Sequence, residues 1–136
     1  MNRRVYCDSS VLLKRFIVEE DSRASVSQLN EFTHGGDHLF SSRIAVVEVT
    51  RGVDKRMPPE ATQEAFEQAL VDVLGDVDIV AIDDFTLQLA AEIPGRHLGT
   101  LDAIHVATAL IMRADLVVTR DQRMIEACTE VGLAVA

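Results

Sequence analysis

The sequence has no tryptophan, one tyrosine and five phenylalanines in 136 residues. A core this short of aromatics has to be filled by Val, Ile, Leu and Ala, which suits a buried parallel sheet covered by helices. Cysteine is scarce too. Cys7 and Cys128 make no disulfide framework, so a reducing, cytoplasmic compartment is the plain expectation. No apolar run reaches the roughly 18 residues that a membrane span requires, and no membrane partner is expected. The opening MNRRVYCD lacks a long apolar segment and a cleavage signal, and reads as mature protein. Walker A, G-x-G-x-x-G, G-x-S-x-G and H-E-x-x-H patterns are all missing, which removes the common nucleotide-binding, serine-hydrolase and zinc-protease readings.

Positive charge is the scarcer sign: 13 Lys and Arg face 22 Asp and Glu, for a formal net charge of −9. Taken as a sum, this disfavours a polyanionic partner. Position changes the conclusion. Nine acids fall between Glu60 and Glu92, a stretch with no Lys or Arg, and outside it 13 acids face 13 bases. The surplus sits on one segment, and nucleic acid is not excluded.

What is present is an alternation of short apolar runs and helical patterns. Arg4 to Cys7 reads as a buried strand, followed by a helix over VLLKRFI that Ser9 or Ser10 would cap. A second helix starts near Asp21 or Ser22 and stops at Gly35-Gly36. His38 to Ser41 is a second strand, and Ser42 caps a helix from Arg43 to about Met57, ended by Pro58-Pro59. Glu60 to about Leu74 reads as a further helix, Asp78 to Ile82 as a strand, and Asp83 as the cap of FTLQLAAEI before Pro94-Gly95. Then come a helix over LGTLDAIHVATALIMR capped by Thr100, a strand from Leu116 to Thr119, a helix from about Asp121 to Val131, a Gly132 stop and a terminal strand LAV. The pattern predicts a single α/β domain, a central parallel sheet of about four to five strands flanked by helices on both faces. There is no internal repeat and no dividing linker.

Four acids stand where burial makes an ionisable group expensive without a partner. Asp102 lies in the first turn of a helix that is apolar on nearly every face. Interaction with the helix dipole alone would offer it about 0.3–1 kcal/mol. Glu48 interrupts IAVVEVT, where Arg51 at i+3 offers an ordinary ion pair. Asp8 and Asp121 follow apolar strands, where either could simply cap a helix. In a parallel sheet, however, the carboxyl ends of all strands share one edge, which is where such sheets bind ligands. Asp8 and Asp121 belong to that edge by topology, and a helix starting there adds Asp102. Clustered carboxylates and water are the donor set of the hard cations Mg²⁺ and Mn²⁺. A zinc site is not expected, because Gly35-Gly36 separates His34 from His38, and His97 falls in a loop. His105 reads as a hydrogen-bonded structural residue.

At these residues the chain resembles the PIN-domain ribonucleases, specifically the VapC toxins of bacterial toxin–antitoxin pairs. The resemblance spans essentially the whole chain through four blocks in order: VYCDSSVLLKRF, SSRIAVVEVTRG, LGTLDAIHVATAL and VVTRDQRMIEACTEVGL. It implies that Asp8, Glu48, Asp102 and Asp121 are the acidic quartet that binds Mg²⁺ or Mn²⁺, with Asp8 and Asp102 the most direct ligands. It implies that Ser9 and Thr119 orient those carboxylates or a water. The implied reaction is hydrolysis of an RNA phosphodiester by a metal-activated water, leaving a 5′-phosphate and a 3′-hydroxyl. The implied partners are a second copy of the chain and a cognate VapB-type antitoxin packing over the site. Cys7 departs from the aliphatic residue usual at its position.

Two other classes compete. A receiver-type signalling domain also places acids at a parallel-sheet edge, but it needs a lysine after a late strand, and Lys occurs only at 14 and 55. A metal-free binding module would make the acids structural. If RNA is the substrate, Arg15, Arg43, Arg51, Arg120 and Arg123 are the candidates to grip its phosphates.

Overall fold

A computed structural model describes residues 1–136. Four parallel strands, β1 (Arg4–Cys7), β2 (His38–Ser42), β3 (Asp78–Val80) and β4 (Leu116–Val118), form one sheet in the order β3-β2-β1-β4. Tyr6 stands opposite Phe40 on one side and Val117 on the other. The terminal LAV stretch does not form a full strand. It contributes a single bridge, Val135 to Val117, with Val117 and Ala136 amides closing the ladder.

Side-chain alternation along the strands decides which helices cover which face. Val5, Cys7, Leu39 and Val118 point into one core. That core is shared with α1 (Ser9–Leu13), α2 (Ser22–His34), α3 (Arg43–Arg56) and α4 (Gln63–Leu74). Tyr6, Phe40 and Val117 point the other way, against α6 (Thr100–Ile111) and α7 (Gln122–Glu130). The remaining helix, α5 (Asp84–Glu92), packs on the outside of α6. This explains why α6 is apolar all round: the sheet lies against one side and α5 against the other.

Several helix starts differ from the sequence expectation, and each difference has a local cause. Asp8, not Ser9 or Ser10, is the N-cap of α1, which ends at Leu13 rather than Ile17. The two serine hydroxyls are drawn instead to carboxylates. Gly99, not Thr100, holds the N-cap position of α6, so Thr100 is its first residue and its hydroxyl caps nothing. α4 begins at Gln63 because a turn from Pro58 to Ala61 precedes it and Thr62 accepts from the Ala65 amide at 3.1 Å. β3 stops at Val80, short of Ile82. The Ser42 and Asp83 caps are as expected, with Ser42 Oγ accepting from the Ile44 amide at 3.2 Å.

One glycine sets the spacing that matters for the site. A Cβ at Gly52 would stand 2.9 Å from Leu13 Cδ1, inside van der Waals contact. The bare backbone lets α3 close on α1, and Glu48 is thereby brought beside Ser9.

Candidate active site

The carboxyl ends of β1 and β4, the second turn of α3 and the first turn of α6 meet at one edge of the sheet, and each brings an acid. Asp8 follows β1 directly and is 4% exposed. Its amide donates to Val118 O at 3.0 Å, so its backbone continues the ladder toward β4. Its Oδ2 accepts from Ser10 Oγ at 2.8 Å and from Thr119 Oγ1 at 2.9 Å. Thr119 Oγ1 in turn accepts from the Asp121 amide at 3.1 Å, which ties the two strand ends together.

Glu48 is half-buried. Its Oε1 accepts from Ser9 Oγ at 2.9 Å and lies 2.6 Å from His105 Nε2. The expected i+3 partner, Arg51, is not engaged: the imidazole of α6, 57 residues along the chain, takes that place. Burial raises the Glu48 carboxyl, but the hydrogen bonds from His105 and then Ser9 outweigh it and leave it below its ordinary range. Behind His105, Nδ1 is hydrogen-bonded to the hydroxyl of Tyr6, and both residues are fully buried.

Asp121 is the N-cap of α7, with Oδ1 accepting from the Met124 amide at 3.1 Å. Asp102 is half-buried and accepts from no protein donor. Burial, then the charges of Asp8 and Asp121, push its carboxyl above the ordinary range. That coupling is the repulsion of like charges held near one another. No lysine or arginine forms an ion pair with Asp8, Asp102, Asp121 or Glu48.

The donor set suits a hydrated hard cation. Asp8 Oδ1 receives only a long 3.5 Å contact from the Ser10 amide, and Glu48 Oε2, Asp121 Oδ2 and both oxygens of Asp102 have no protein donor. A Cβ at Gly99 would lie 3.7 Å from Asp102 Oδ2, so glycine keeps that flank open. No three acidic, His or Cys side chains converge closely enough to enclose an ion by themselves. Mg²⁺ does not ask for such a cage, since it usually keeps several waters and takes one or two carboxylates.

The arginines divide by what they already hold. Arg15 is nearly buried and pairs with Asp76 at 2.6 Å while donating to Val73 O at 2.9 Å, so it clamps the turn after α1 to the end of α4. Arg120 donates to Gln28 Oε1 at 2.9 Å, and Arg123 reaches His97 O at 3.4 Å. Arg43 and Arg51 are exposed with no intramolecular partner. Arg51 lines a groove of about 540 Å³ between α1 and α3 that Ser9, Ser10 and Glu48 also line. Lys55 and Arg56, which sequence reasoning missed, line it too. Their spacing of seven and eight from Glu48 was the available signal. Neither lysine follows a late strand, as a receiver domain requires: Lys14 is held by Glu19 and Asp21, and Lys55 belongs to α3.

Comparison with known proteins places this geometry in a family. The family model described as PIN domain matches residues 5–130. Ribonuclease VapC47 of Mycobacterium tuberculosis (strain CDC 1551 / Oshkosh) is 32% identical over 134 residues, covering 97% of this chain and 95% of that protein. Ribonuclease VapC46 of M. tuberculosis (strain ATCC 25618 / H37Rv) is 34% identical over 134 residues, covering 96% and 95%. Among solved structures, FitAB bound to an IR36 DNA fragment superposes with a TM-score of 0.71 at 22% identity, covering 97% of this chain and 93% of that one. VapBC2 from Rickettsia felis, bound to a promoter DNA fragment, gives 0.67 at 14% identity, with 98% and 97% covered. At these identities the structural likenesses speak to fold.

Proposed function

Because the chain belongs to the PIN-domain family and has VapC ribonucleases among its relatives, we propose that it is a Mg²⁺- or Mn²⁺-dependent endoribonuclease, the toxin of a toxin–antitoxin pair. The observation that carries this reading is the meeting of four carboxylates at one sheet edge, each with an oxygen free of any strong protein donor and none paired with a lysine or arginine.

Asp8 and Asp102 are the principal cation ligands in this reading, with Glu48 and Asp121 flanking them. When bound, the divalent ion supplies Lewis acidity, offsetting phosphate charge and acidifying a water so that it can attack phosphorus. The chain's own residues do the rest. Ser10 and Thr119 hold Asp8, and Ser9 and His105 hold Glu48. Arg51, Lys55 and Arg56 lie on the same face of α3 as Glu48 and can take the phosphates of a strand entering the site. Arg43, exposed at the first residue of α3 five positions before Glu48, is a further candidate contact. Arg15 drops from this set because Asp76 already neutralises it.

The partners proposed are RNA, a VapB-type antitoxin and a second copy of the chain. Phe85, Leu87 and Leu101 are large apolar side chains exposed on α5 and α6, which suits protein partners on that side. No helix is long and apolar enough to cross a membrane, and the cytoplasm is the proposed compartment. The test is cleavage of defined RNAs by the purified chain in Mg²⁺, in Mn²⁺ and in chelator. Cleavage leaving 5′-phosphates, in metal only, is expected; no cleavage in either metal would overturn the proposal. Expression of the chain should also arrest growth, with rescue by a small protein encoded beside it.

A further inference from the structure

His105 is fully buried in a helix face that an aliphatic residue would fill, yet both ring nitrogens are engaged. One consistent direction for these bonds starts from the Ser42 amide. The Ser42 amide can only donate, and it donates to the Tyr6 hydroxyl oxygen at 3.2 Å. The hydroxyl proton is then free for the next neighbour in line, His105 Nδ1. An Nδ1 that accepts leaves the proton of a neutral imidazole on Nε2. Nε2–H in turn donates to Glu48 Oε1 at 2.6 Å, and Ser9 Oγ donates to the same oxygen at 2.9 Å.

We propose that Tyr6 and His105 form a positioning relay, anchored on the Ser42 amide, that fixes Glu48 through Oε1, leaves Oε2 for the divalent cation and so raises cation affinity. The proposal rests on reading Glu48 as a cation ligand. Its structural logic is that a glutamate on a helix surface has three rotatable bonds, and an ordered ligand needs that freedom removed beforehand. Ser9 alone would hold Oε1 from one side. The imidazole holds it from the opposite helix, and the imidazole is itself held by the phenol. The relay also couples elements: Ser42 caps α3, Tyr6 on β1 lies two residues before Asp8, and His105 lies three residues after Asp102 on α6. Each relay member therefore stands on, or next in the chain to, an element that carries or leads into one of these acids.

The relay makes a prediction that a space-filling His105 does not. In the full-length protein, ¹⁵N shifts of His105 should report the Nε2–H tautomer, and finding the proton on Nδ1 would overturn the proposal. Mn²⁺ titrated by calorimetry, without RNA, gives the second readout. Tyr6→Phe and His105→Phe should each weaken Mn²⁺ binding by about 10–100-fold, the range for losing an outer partner of a metal ligand. His105→Gln, which can still donate to Glu48, should recover part of the loss. Unchanged Mn²⁺ affinity in Tyr6→Phe and His105→Phe, with only the melting temperature lowered, would mean the residues are merely packed and would overturn the relay. Failure of the parent chain to bind Mn²⁺ would overturn the cation reading beneath it, a result distinguishable from loss in the variants alone.

Discussion

Two aspartates, Asp8 and Asp37, are buried at opposite ends of the same sheet, 4% and 7% exposed. Asp37 precedes β2 at the amino edge. It accepts from the Arg3 amide at 2.9 Å and from that residue's guanidinium at 2.8 and 3.2 Å. The Arg3 guanidinium overcomes the cost of burial and holds the Asp37 carboxyl at about 2. Asp8, at the carboxyl edge, receives hydroxyls from Ser10 and Thr119 and has Asp102 as a charged neighbour. One buried acid carries its cation in the chain; the other is surrounded by groups that would orient it toward a cation from outside. On the proposed function, that difference separates a structural carboxylate from a functional one better than burial does.

The largest expected effect comes from removing charge at the carboxyl edge. Asp8→Asn and Asp102→Asn should each lower RNA cleavage by at least about 10²–10³-fold, the scale seen when one charge-stabilising group is lost. Asp37→Asn should leave the cleavage rate of the folded protein unchanged and lower its melting temperature. Cleavage and circular-dichroism melts on all three decide it, and full activity in Asp8→Asn would dissolve the contrast. Next in size is metal linkage. Mg²⁺ at about 100 times its dissociation constant should stabilise the parent chain by about 2.7 kcal/mol. Asp102→Asn should lose most of that gain, whereas Asp37→Asn should keep it.

Proton linkage should have opposite signs at the two ends. The Asp37 carboxyl is lowered from 3.8 to about 2, so its contribution is full above about 3.8 and is lost as pH falls through about 2. The melting-temperature gap between the parent and Asp37→Asn should therefore close in acid. The Asp102 carboxyl is raised, by burial and then by Asp8 and Asp121. Its contribution is full below the ordinary value of 3.8 and is lost as pH rises through the higher folded value. In chelator at neutral pH, Asp102→Asn should thus be more stable than the parent, with the advantage fading below about pH 4. A less stable Asp102→Asn under those conditions would show that repulsion does not govern this edge.

The edge itself was legible in the sequence because topology alone carries it: parallel strands put Asp8 and the Thr119–Asp121 segment together, and four of the five runs read as strands became β1 to β4. The partners of the acids were not legible. Glu48 and His105 are 57 residues apart, and nothing in helix periodicity favours that pair over Glu48 and Arg51 at i+3. Ser9 and Ser10 looked like caps because capping is the commonest use of serine before a helix. Only the approach of α3 permitted by Gly52 turns Ser9 toward Glu48. Thr100 looked like a cap for the same reason, and Gly99 took the position. Tyr6 gave no signal, being the one tyrosine in a strand of apolar appearance.

The smallest effect separates two arginines that sequence reasoning treated alike. Arg51 is exposed in the groove beside Glu48, and Arg15 is clamped to Asp76 and Val73 O. A side chain that meets a phosphate of single-stranded RNA releases counterions, so its loss lowers the salt slope of binding by about 0.7. Arg51→Gln should therefore raise KM a few-fold at low salt, reduce the slope by about that amount and leave kcat near its parent value. Arg15→Gln should do neither, because its charge is already spent on Asp76; it should lower the melting temperature by loosening the turn after α1 from the end of α4. If Arg15→Gln changed the salt slope and Arg51→Gln did not, the RNA would run past the α1–α4 side of the protein, and the groove along α3 would have to be given another occupant.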